Sequence, residues 1–156
     1  MRTLYIISVF LHILSVIFWL GGATFLSFVL IPSISKSQEY PALFEKIAKR
    51  YSGITWSLIF PLILITGYFN AYMRTGFFSP AKWIEVSYDT FLKFHIFFLI
   101  VLLSAVHDFW LGKKAVEHLK AGKSSPLRKA SAWIGRINFV LGIIMLLLGI
   151  RIVRGW

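Results

Sequence analysis

The sequence predicts an all-α polytopic membrane protein, a single bundle of four transmembrane helices occupying residues 1–156. Three observations carry this. Four apolar runs, Leu4–Ile31, Ile54–Met73, Tyr88–Leu111 and Ala132–Val153, approach or exceed the roughly 20 residues needed to cross a hydrocarbon core of about 30 Å. The chain is 58% hydrophobic and 15% charged, with a mean hydropathy of +0.75, whereas soluble domains carry about 25% charge. The cations collect in two of the three connecting loops. Little chain is left over, so no second, soluble domain is expected.

The first run is preceded by only Arg2, is too long for a signal-peptide core and lacks a small-x-small cleavage site. It is expected to be retained as a span. At 100° per residue it sets Ser8, His12, Ser15, Trp19 and Ala23 on one stripe, with Gly21-Gly22 a turn deeper. An ionisable ring is costly inside a membrane, so this stripe is expected to face something other than lipid. Pro32 follows the run, and the loop beyond it holds Lys36, Lys46, Lys49 and Arg50 against Glu39 and Glu45. Within that loop Pro41 suits a first helical position, and Leu43, Phe44, Ile47 and Tyr51 recur at helical spacing. A short basic amphipathic helix over 41–51, lying in the interface, is the expectation.

The second run contains Pro61, which predicts a kink. The loop Arg74–Ser87 is nearly neutral and carries Phe77, Phe78 and Trp83, an aromatic-belt composition. The third run carries Lys93, His95, His107 and Asp108. The loop after it, Gly112–Ser131, holds Lys113, Lys114, Lys120, Lys123, Arg128 and Lys129 against Glu117, and its His118 is expected to be solvated. Loops 1 and 3 fall on one side of a four-helix bundle and both are basic. The positive-inside rule therefore places them in the cytoplasm of a bacterial-type inner membrane, with both termini and loop 2 outside; Arg151 and Arg154 run against the rule. A faint internal echo pairs Phe10-Leu11-His12 with Phe91-Leu92-Lys93, and Phe18-Trp19-Leu20-Gly21 with Phe109-Trp110-Leu111-Gly112.

The absence of cysteine excludes disulfides and thiolate metal centres, leaving His, Lys, Met and oxygen as ligands. A formal charge of +11 in a soluble protein would suggest nucleic acid; beside apolar spans, anionic headgroups account for it and no nucleic-acid partner is expected. His12 and His95 fall at matched depth, roughly 8–12 Å below the outer surface at a rise of 1.5 Å per residue, the arrangement that axial ligation of one haem requires. His107 lies about 18 Å deeper than His95 and cannot share that iron. It is grouped instead with Asp108, Arg136 and Asn138 as a second polar cluster, suited to passing protons or to tying helices together.

Lys93 competes with His95 as the partner of His12. The two are rotated about 200° apart, so one of them at most points at His12. An inward polar stripe favours Lys93, which otherwise snorkels to the interface; ligand chemistry favours the neutral imidazole of His95. His12 and His95 are the expected metal ligands. Arg74 and Arg151, near the same surface, suit haem propionates through bidentate guanidinium contacts, or serve as interfacial anchors. Trp19 and the Gly21-Gly22 pair suit close helix packing beside the cofactor.

His12, then Trp19-Leu-Gly-Gly22 and the apolar run to Pro32, resemble the first helix of the copper-resistance D (CopD-like) family and of the related HemJ-type protoporphyrinogen oxidases. Ala48-Lys-Arg-Tyr-Ser52 followed by Leu64-Ile-Thr-Gly67-Tyr-Phe-Asn70-Ala is similar to the CopD-like second helix. Tyr88-Asp-Thr-Phe-Leu-Lys93 with the run to His107 resembles the third helix of both, and Arg136-Ile-Asn138 the HemJ-type fourth helix. The resemblance implies b-type haem, with His12 and Lys93 matching the family's key His and Lys, and oxidation of protoporphyrinogen IX to protoporphyrin IX. Val106, where the HemJ-type group carries Tyr, and Phe139-Val-Leu-Gly after Asn138 depart from that pattern.

The leading expectation is an integral membrane b-type haem redox protein, with the bilayer, a quinone or porphyrin substrate and a second copy of the chain as its partners. Two alternatives stand beside it. CopD-like copper transport would want a chain of Met or His ligands, which Met1, Met73 and Met145 do not form. A cofactor-free assembly subunit would use its polar residues only as helix ties.

Overall fold

The computed structural model describes residues 1–37, 39–121 and 126–155, and all regular structure among them is helical. Four long apolar helices form the bundle: α1 (Arg2–Ile34), α2 (Tyr40–Thr75), α4 (Tyr88–His118, with helical residues to Lys120) and α5 (Pro126–Arg154), while α3 (Pro80–Val86) is a short helix in the loop between α2 and α4. The four spans expected from hydropathy are present. Their ends differ in instructive ways.

Both intrahelical prolines follow a π-helical turn. Leu26–Leu30 precedes Pro32 and Thr55–Ile59 precedes Pro61. A proline ring collides with the carbonyl four residues back, and a widened turn there relieves that collision. Hence α1 continues through Pro32 to Ile34, and the irregularity expected at Pro61 takes the form of a π turn. The amphipathic stretch 41–51 is helical and runs on into the second span within α2. The third basic loop is likewise helical on both sides, up to Lys120 and again from Pro126, since Lys, Ala, Glu and Leu are all good helix formers. Lys123 lies outside the described residues.

α1 packs along α2, and α4 along α5. Trp19 and Leu20 of α1 meet α5 at Gly142, and Phe28 meets Phe139 at 6.0 Å between ring centroids. α2 and α4 close the ring of four. Ile59, Phe60, Ile63, Phe97 and Ile100 form the central core, flanked by Val16, Trp19, Leu141 and Met145. Large apolar side chains such as Phe10, Phe25, Phe28, Leu102 and Val153 point outward, as a lipid-facing surface requires.

Trp83 departs from the belt expectation. It is 0% exposed, donates Nε1–H to the Phe77 carbonyl at 2.7 Å, and lies against Tyr68 and Phe94 with centroids at 5.3 and 5.2 Å. It pins α3 across the ends of α2 and α4. Gly76 supplies the left-handed residue that ends α2.

Candidate functional site

The predicted stripe of α1 turns inward. Ser8 and Ser15 are buried, and His12, Trp19 and Ala23 are partly buried. Its target is Thr66 on α2: the Ser8 hydroxyl reaches the Thr66 carbonyl at 3.4 Å, and His12 Nδ1 lies 3.0 Å from Thr66 Oγ1. The single hydroxyl proton of Thr66 is given to the Leu62 carbonyl. Thr66 Oγ1 can then only accept, so His12 Nδ1 carries the ring proton and Nε2 keeps its lone pair. The Ile63 carbonyl also lies beside the ring. A Cβ at Gly67 would sit 3.0 Å from His12 Cε1, so the glycine makes the room the imidazole occupies.

Lys93, on α4, is a second nitrogen-bearing side chain that turns into the bundle. Its side chain is partly buried, forms no hydrogen bond or ion pair to the described residues, and runs beside α5, where a Cβ at Gly149 would sit 3.1 Å from Nζ. An amine without a partner inside a membrane helix marks a functional position more often than a structural one. Two nitrogen donors from opposite helices, each beside a glycine, therefore share the interior.

His95 is not one of them. It is exposed on the outer face of α4, its Nδ1 bonded to the Phe91 carbonyl at 2.8 Å and its ring 4.1 Å from that of Phe91. The half-turn between positions 93 and 95 allows one inward side chain, and Lys93 takes it. Of the two expected partners of His12, Lys93 is therefore the one whose side chain turns into the bundle, and His95 the one that turns out. Trp19 belongs to the core, its ring 5.9 Å from Phe60 and its carbonyl accepting from the Tyr51 hydroxyl. Arg74 and Arg151 are both exposed, and line a cleft of about 630 Å³ at the end of the bundle that carries the termini. Arg151 Nε is 3.1 Å from Asp89 Oδ2.

The second polar cluster forms with altered membership. Asp108 accepts from Ser52 Oγ (2.6 Å) and Trp56 Nε1 (3.0 Å) through Oδ2, and meets His107 Nδ1 (2.7 Å) through Oδ1. Asn138 donates to Ser104 at 3.0 Å, one turn away on α4. Arg136 is exposed and lies over Trp133 at 5.1 Å, outside the cluster. His107 and Asp108 sit in a π turn, Val106–Leu111, that ends at Gly112. Phe18-Trp19-Leu20-Gly21 lies in another π turn, Ile17–Gly21, so the two copies of the sequence echo coincide with two widened turns.

A Cβ at Gly112 would stand 2.8 Å from the His107 carbonyl oxygen. Gly112→Ala is accordingly expected to destabilise the protein by about 1–3 kcal/mol, the usual cost of overpacking. Thermal denaturation in detergent micelles checks this, and an unchanged midpoint would show that the turn adapts freely.

Sequence reasoning missed Thr66, Ser52, Trp56 and Asp89. Thr66-Gly67 stands within a stretch singled out for its resemblance, yet nothing in one sequence says that it meets His12. Among the described residues no three His, Asp or Glu side chains come together as a metal site.

The family model for copper resistance protein D matches residues 45–151. The chain belongs to the copper resistance protein D family. It is an integral membrane protein of that copper-resistance type, and the matched region includes Thr66, Lys93 and Asp108, while His12 lies before it. An uncharacterized protein of Aquifex aeolicus (strain VF5) is 34% identical over 148 residues, 94% of each chain, so that similarity extends well beyond the family region. No solved structure matches. A resident copper centre of the family's name fits these residues poorly: Cu(I) prefers thiolate or thioether donors, cysteine is absent, Met1 is exposed, and Met73 and Met145 lie apart near the end of α2 and in mid-α5.

Proposed function

We propose that this member of the family is a membrane redox protein whose inner site, His12 and Lys93, holds b-type haem. One observation carries the reading: an imidazole whose Nδ1–H is committed to Thr66, with Nε2 left free, shares the membrane interior with an unpartnered lysine amine. Ligating histidines are typically oriented in this way, through a hydrogen bond at the other ring nitrogen. Gly67 and Gly149 supply the clearance that two inward nitrogen donors need.

Bound there, haem supplies reversible one-electron chemistry. The protein's own part is positioning and exclusion. Thr66 fixes the tautomer of His12, and Ile63 and Phe97, a turn along from Thr66 and Lys93, shut the interior below the pair. This apolar layer separates the pair from Asp108, so electron and proton traffic would be handled at opposite ends of the bundle. In this reading the basic loops 1 and 3 face the cytoplasm, by the positive-inside rule, and the termini, with the Arg74–Arg151 cleft, face the other side. A quinone or a porphyrin substrate, both membrane-soluble, is the partner such a depth suits, and protoporphyrinogen oxidation is the activity to assay.

The decisive test is the optical spectrum of protein purified after expression with added haem. A Soret band is expected, lost in His12→Ala and kept in His95→Ala and His107→Ala. No band in the parent protein would overturn the reading; stoichiometric copper without porphyrin, by elemental analysis, would replace it with copper handling.

A further inference from the structure

The cleft at the terminus-bearing end joins residues from three helices: Arg74 at the end of α2, Ser87 and Asp89 at the start of α4, and Arg151 near the end of α5. Its volume, about 630 Å³, is in the range of small-molecule sites. Two guanidinium groups face one carboxylate, which leaves the cleft net positive. Asp89 engages Arg151 through Nε, so the Nη groups of that guanidinium remain for another acceptor. Arg74 makes no hydrogen bond or ion pair to the described residues. Along α4, Lys93 lies one turn deeper than Asp89, about 6 Å along the helix.

We propose that this cleft recognises carboxylates at the edge of a flat, mainly apolar ligand whose body reaches down between the helices toward Lys93 and His12. Arg74 and Arg151 are its carboxylate-binding residues, and Asp89 is a positioning residue that orients Arg151. Guanidinium and carboxylate match in geometry and pair through charge-assisted bonds. Interfacial anchoring explains either arginine alone. It does not explain why two arginines 77 positions apart converge on one polar cleft above an unpartnered lysine. The choice of a tetrapyrrole as the ligand rests on the proposed function; the preference for carboxylate rests on the cleft alone.

The test uses the whole protein in phosphatidylcholine nanodiscs and two metal-free probes, mesoporphyrin IX and its dimethyl ester, with empty discs as reference. The diacid is expected to bind about tenfold more tightly than the diester. Arg74→Gln, which breaks no bond to the described residues, should remove most of that preference, and Arg74→Gln with Arg151→Gln should abolish it. Asp89→Asn should reduce it while leaving diester binding unchanged. Equal binding of the two probes, or a preference that survives the double substitution, would overturn the proposal. Collapse of the preference when phosphatidylglycerol is included would overturn it in favour of a lipid phosphate as occupant. Because neither probe carries iron, the outcome is independent of haem ligation: His12→Ala should keep the acid-over-ester preference even where it loses the Soret band.

Discussion

Thr66→Val is expected to weaken haem binding by about ten- to a hundredfold, the range seen when the partner that orients a ligating histidine is removed. Valine keeps the shape of threonine but offers no acceptor. The His12 Nδ1–H then has only the Ile63 carbonyl beside it, or the proton moves to Nε2 and occupies the nitrogen that would meet the iron. Thr66→Ser restores the oxygen and should restore affinity. Haem titration followed at the Soret maximum separates this from a packing role, since a merely structural threonine would lower thermal stability and leave the affinity of the folded fraction intact. Equal affinity in parent and Thr66→Val would remove Thr66 from the site.

Trp83→Ala is expected to cost about 3–5 kcal/mol, the range for deleting a fully buried tryptophan. The indole is the most enclosed large side chain described, and three things go with it: the bond to the Phe77 carbonyl and the ring contacts to Tyr68 and Phe94. Because α3 lies outside the spans, its unfolded reference state meets water, and the usual apolar burial term applies. Trp83→Phe keeps most of the packing but leaves the Phe77 carbonyl only the long 3.5 Å contact from the Thr75 hydroxyl, so about 1 kcal/mol is expected. Denaturation midpoints in detergent, with proteolysis across 75–87 as a local readout, check both. Resistance equal to the parent's in Trp83→Ala would show that α3 is held from elsewhere.

The polar side chains divide by whether their partners are local. The inward stripe of α1 was legible because helical periodicity alone aligns Ser8, His12, Ser15 and Trp19. The incompatibility of Lys93 and His95 as simultaneous inward residues followed from the same periodicity, but the choice between them did not. It depends on the rotation of α4 against α2 and α5, set by Trp83, Phe97 and Ile100 packing against other helices. Asp108 was visible as an acid in an apolar run. Its partners Ser52 and Trp56 were not, because they stand more than fifty residues away on α2.

By itself the sequence determined that the chain crosses a membrane with four helices, which side of each helix is polar, and that any metal must be met without thiolates. Length and hydropathy decide spanning, because a bilayer leaves the backbone no alternative to helix. The tertiary structure alone decided that His12 meets Thr66, that Lys93 turns inward and His95 outward, and that Arg74, Asp89 and Arg151 share one cleft. His12 and Thr66 are 54 positions apart and Asp89 and Arg151 are 62, and their geometry comes from how whole helices pack, which no single segment encodes.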